Sequence, residues 1–129
     1  MANLIDLLLS ADPDQLFERP EMDLRIERLR KVLGDEFVLH LRGLTHKEIA
    51  TIPKGDDMSV HFVLRAVTNL DFGNQELAAR LRPSGRNTPL TPPEVVRALF
   101  LPGEIAAIEK NAMILSGYGE NLVETIEKN

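Results

Sequence analysis

Cysteine is absent from the 129 residues, which excludes disulfides, thiolate nucleophiles and zinc sites built on cysteine ligands. That absence fits a reducing compartment and leaves stability to packing. An excess of positive charge is missing as well. The chain carries 15 basic and 20 acidic residues for a net charge of -5, a balance that repels the phosphate backbone responsible for most nonspecific nucleic-acid affinity. DNA and RNA are therefore not expected partners. No apolar run reaches the roughly 20 residues that a membrane-crossing helix needs, so the expectation is a soluble protein without a membrane partner. The opening MANLIDLLLSADP lacks a basic start, carries Asp6 inside its apolar run and is too short for the hydrophobic part of an export signal.

Catalytic signatures are also missing. His40, His46 and His61 form no H-x-x-x-H or H-E-x-x-H pair, and incidental surface or boundary histidines explain them better than metal ligands do. Ser10, Ser59, Ser84 and Ser116 stand in no G-x-S-x-G elbow. A charged helix face accounts for the many carboxylates more simply than a glycosidase pair does. The Gly-Tyr-Gly at residues 117–119 follows a helical pattern and has no Lys-Ser/Thr pair behind it, so it reads as a glycine helix stop and not as a phosphate loop. A DNA-reading helix-turn-helix in residues 91–115 is disfavoured by charge, because residues 91–129 hold three basic side chains against six acidic ones. No catalytic, cofactor-binding or metal residue is assigned.

What the chain does contain is enough to fold. Hydrophobic residues make up 43% and charged residues 27%, ordinary globular values. A chain of this length builds one domain that buries roughly two thirds of the surface exposed when unfolded. Residues 1–11 read as an N-terminal arm in which Leu4, Ile5, Leu8 and Leu9 share one face of a short helix closed at Asp12-Pro13. Two turns of helix are marginal alone, so the arm either packs on its own domain or docks on another subunit. Residues 22–33 fit two patterns. Met22, Leu24 and Ile26 alternate as in a strand, while Met22, Ile26, Leu29 and Leu33 fit a helix. Phe37, Leu39 and Leu41 give a clearer strand after the Gly34-Asp35 turn, and a strand needs a partner for its backbone groups. The two segments are therefore read as an antiparallel pair over about 22–43.

Beyond Leu44 the pattern is helical. The THKE at residues 45–48 has the capping-box form and starts a short helix ending at Pro53. Val60, Val63, Leu64 and Val67 recur at helical spacing, and Asn74 caps a further helix through Leu77, Ala78 and Leu81. RPSGRNTPLTPP holds four prolines and one glycine in twelve residues and marks residues 82–92 as a flexible connection. Thr91-Pro92 restarts the chain as cap and first helical residue, opening the C-terminal helices of residues 92–129. The fold class is thus α+β, predominantly α: a small N-terminal antiparallel β hairpin followed by a bundle of short helices, in one domain over 1–129.

The stretch LFLPGEIAAIEKNAMILSGYGEN at residues 99–121 is the most informative. Pro102 at the first helical position loses no hydrogen bond, and Glu104 in the first turn suits the helix dipole. Leu101, Ile105, Ile108, Ala112 and Leu115 form one stripe for the core, and Gly117 ends the helix. Ala106, Ala107, Met113 and Ile114 lie off that stripe. A helix apolar on two faces is either sandwiched within its domain or offers one face to another chain, and the flexible thioether of Met113 suits the second role.

Taken in order, LLLSADPDQL, RLRKVLGDEFVLHLRGLTHKEI and LFLPGEIAAIEKNAMILSGYGEN resemble the tail assembly chaperones of long-tailed bacteriophages and defective prophages, the XkdN-like group. LPGEIAAI and LSGYGE carry the most specific part of the resemblance, which departs from the group at the proline-rich residues 82–92. It implies a small, mainly helical protein of the bacterial host cytoplasm, absent from the mature virion. Such a protein would bind the hydrophobic, helical tape measure protein, keep it soluble, and leave as tail tube subunits polymerise. Family members are also made as a longer frameshifted form that contacts the tail tube protein. Such a holdase needs exchangeable apolar surfaces, and self-association would repeat them along the client. Leu4, Ile5 and Leu8 of the arm, with Met113 and Ile114 of the later helix, are the expected partner-binding residues, and no cofactor is expected. Two other classes compete with this reading. A small enzyme with residues dispersed in sequence would show a deep pocket with convergent polar groups, and a transcriptional regulator would show a basic face.

Overall fold

The computed structural model describes residues 3–119 and 122–126. Helix α1 (Leu4–Ser10) starts at Asn3, whose side chain accepts from the Asp6 amide at 2.8 Å. Asp12-Pro13 closes α1 as its sequence implies, but it also opens α2 (Pro13–Leu16), because Asp12 accepts from the Asp14 amide while Pro13 takes the first helical position.

Strand β1 (Glu21–Leu24) and strand β2 (Leu39–Arg42) pair antiparallel, with Met22 opposite Leu41 and Asp23 opposite His40. The double pattern of residues 22–33 resolves by division: the first part is the strand and the second is α3 (Glu27–Leu33), ended by Gly34. The pair is therefore joined through a helix and not by the Gly34-Asp35 turn alone. Ile26, expected in the strand, caps α3 and is buried with Leu29, while Leu33 is exposed. Leu39 and Leu41 point into the core, whereas His40 and Arg42 share the outer side with Glu21 and Asp23.

The capping box at Thr45 forms as read, opening α4 (His46–Ala50): the Thr45 amide donates to Glu48 and the Glu48 amide donates to the Thr45 hydroxyl. Helix α5 (Met58–Ala66) then runs through the middle of the core and buries Val60, Phe62, Val63 and Ala66. Helix α6 (Gln75–Arg80) is capped by Asn74, which accepts from the Leu77 amide at 3.0 Å. In the proline-rich segment that follows, Arg86 bonds Glu94 and the Thr88 and Pro89 carbonyls, and Leu90 is buried. Helix α7 (Pro92–Leu99) and helix α8 (Pro102–Met113) pack on α5. Among the described residues one cluster of 21 buried apolar side chains runs from Ile26 to Leu115, with Phe72 and Phe100 meeting edge to face at 6.3 Å. The described part of the protein is α+β and predominantly helical.

Candidate functional site

Helix α8 begins as its sequence dictates. Pro102 occupies the first position, and Glu104 accepts from the Leu101 amide at 2.8 Å. Glu104 also takes two hydrogen bonds from Arg28, whose guanidinium reaches the Leu99 carbonyl as well. That guanidinium, together with the Leu101 amide, holds the Glu104 carboxyl below the ordinary carboxylate range. Ile105, Ile108, Ala112 and Leu115 are buried, as the stripe predicts. Leu101 is the correction: at 52% exposed it lies outside the core, because it caps the helix in an extended conformation and so escapes the helical phase.

Past Met113 the chain makes one more turn (Ile114–Tyr118) that kinks at Gly117, where φ is +99°. Only glycine holds that angle without strain. Two contacts fix the turn to the residues just after β2. The Leu44 amide donates to the Ser116 hydroxyl at 2.8 Å, and Gly43 approaches so closely that a Cβ there would stand 2.4 Å from the Leu115 carbonyl oxygen. Met113 half-buries itself against the core, while Ile114 stays 42% exposed.

Met113 and Ile114 join Tyr118 and Leu122 in lining an open groove of about 650 Å³, together with Glu109 and Lys110. Glu109 is engaged there by Ser59, whose hydroxyl donates at 3.0 Å. The sequence pointed to Met113 and Ile114 but not to Tyr118 or Leu122, which lie beyond the glycine stop and reach the groove only because the chain turns there.

The arm supplies a second apolar surface. Leu4, Ile5 and Leu8 are 77%, 62% and 55% exposed, and α1 buries no residue. Among the described residues its hydrogen bonds stay within residues 3–11. Leu7 and Leu9, and Leu16 and Phe17 at α2, are exposed as well. Asp12-Pro13 was the available signal for α2, since a cap followed by proline starts a helix as readily as it stops one. The groove and the arm are separate surfaces; none of the groove-lining residues comes from α1.

The histidines serve local structure. His40 faces Asp23 and Glu21, His61 pairs with Arg65, and His46 opens α4. Among the described residues no group of three His, Asp or Glu side chains is placed to hold a metal ion, and no helix is long and apolar enough to cross a membrane. A scan against protein-family models finds no match, and neither do searches of curated proteins and of solved structures.

Proposed function

We propose that the chain is a phage tail assembly chaperone that acts without catalysis, binding a long apolar helical client, the tape measure protein, until the tail tube forms. The observation that carries this reading is α1, a helix rich in leucine whose side chains all remain in water. Seven residues do not hold a helix in water by propensity alone, and leaving five large apolar side chains hydrated gives up the stabilisation that burial supplies, about 1.5–3 kcal/mol for each one fully covered. A surface of that kind is explained by a partner. The α8 groove adds a second contact, built from an adaptable Met113, an exposed Ile114 and an amphipathic Tyr118. Neither patch is large, which suits a holdase: weak contacts repeated along a client grip by avidity and release when displaced. Self-association would supply the repetition, the tail tube protein would be the displacing partner, and the site of action would be the host cytoplasm.

Co-expression with a tape measure protein from the same gene cluster tests the reading. The client is expected to become soluble and to copurify with the chain. A folded chain that neither solubilises nor retains it would overturn the proposal.

A further inference from the structure

His40 sits on the outer side of β2 with a carboxylate at each ring nitrogen. Nδ1 lies 2.7 Å from the Asp23 carboxylate and Nε2 lies 3.4 Å from that of Glu21, both on β1. A neutral imidazole carries one N–H and one lone pair. Whichever tautomer formed, one lone pair would face an anionic oxygen. The imidazolium alone donates to Asp23 while also attracting Glu21 at ion-pair distance, so the geometry favours the charged ring over either neutral tautomer.

We propose that β1 is fastened to β2 by a pH-sensitive clasp in which the protonated His40 ring bridges Asp23 and Glu21. The remaining groups around the ring leave it as the titrating member. Arg42, two residues along the same strand, is the cation on that outer side and stands opposite Glu21 in the register. Arg25 borders Asp23 around a shallow hollow but donates to the Asp35 carbonyl. From the segment after α5, Asn69 accepts from the His40 amide and Thr68 donates to the His40 carbonyl; both are neutral and bind backbone.

The two carboxylates raise the His40 pKa above its ordinary 6.5, hydrogen bonding to Asp23 and then Glu21 being the main causes. A raised pKa fixes the sign: the stabilisation is complete below 6.5 and disappears as pH rises through the folded-state value. What loosens is local. Upstream of β1, Arg19 bonds Glu48 and the Gly43 carbonyl; downstream, Ile26 and Leu29 are buried. Release is therefore confined to residues 21–24, between an ion-paired segment before them and a buried one after. It would uncover Met22, Leu24 and the edge of β2, an open row of backbone donors and acceptors.

Two NMR measurements on the intact chain test this. The His40 ring is expected to titrate above 6.5, and to return toward about 6.5 in the E21Q/D23N double variant. Amide protection at residues 21–24, corrected for intrinsic exchange, is expected to fall several-fold between about pH 6 and about pH 8.5 while protection in α5 and α8 holds. In H40Q that pH dependence should vanish. A His40 midpoint at the ordinary value, an unchanged β1 protection across its titration, or a fall shared equally by α5 and α8 would each overturn the proposal.

Discussion

Glu94 is the most tightly held carboxylate of the described residues. Arg86 grips it bidentately, and the Thr91 amide and hydroxyl both donate to it at 2.9 Å. These bonds, Arg86 first, depress its pKa to about 2. A depressed carboxylate stabilises the fold above its unfolded-state value of 4.5 and loses that contribution as pH falls through its folded value. Melting temperature should therefore drop between about pH 4.5 and about pH 2 in the wild type, and E94Q should flatten that part of the profile. A second contrast at residue scale separates core from surface on neighbouring turns of one helix. Ile108 is fully buried and Ile114 is not, so I108A should lower unfolding stability by ~2–5 kcal/mol. I114D should stay within ~1 kcal/mol of wild type by denaturant titration while weakening client or subunit binding. An I114D chain that unfolds would show that this face belongs to the core.

At the scale of elements, capping residues proved the most legible part of the chain. Asn74, Thr45-Glu48 and Pro102-Glu104 each carry their instruction within four residues: the first two form the expected caps, and Glu104, expected only to suit the helix dipole, also accepts from the Leu101 amide. Residues 22–33 were harder because they satisfy two periods at once; only the presence of β2 beside residues 21–24 decides where strand gives way to α3. The groove was half legible. Met113 and Ile114 could be picked out as surplus apolar residues, but Tyr118 and Leu122 join them past the kink at Gly117, beside which Gly43 lies against the Leu115 carbonyl, a contact between residues far apart in sequence. Exposure of the arm follows from no local signal, since an apolar face says that something covers it and not whether that cover is the same chain. Removing residues 1–11 supplies the element-scale test. Because α1 buries nothing, the truncated chain should unfold within about 1 kcal/mol of the full one in denaturant titration, whereas a loss of several would mean the arm is part of the domain.

At the scale of the molecule, the described residues combine a well-filled core with exposed apolar surfaces on α1 and in the α8 groove. Among the described residues no polar side-chain atom is buried without a partner, and no polar or charged residue is buried at all. The surplus on α1 and in the α8 groove is therefore not the mark of a poorly packed chain. On the proposed reading it is surface kept for a partner, and the net charge of -5 would oppose nonspecific association while those surfaces are empty. The most direct test of that claim is the soluble yield of a co-expressed tape measure protein, measured for the wild type, the chain lacking residues 1–11 and the I114D variant at equal levels of folded chain. The account predicts a several-fold loss in each variant with unfolding stability preserved. Equal yields from all three would contradict it.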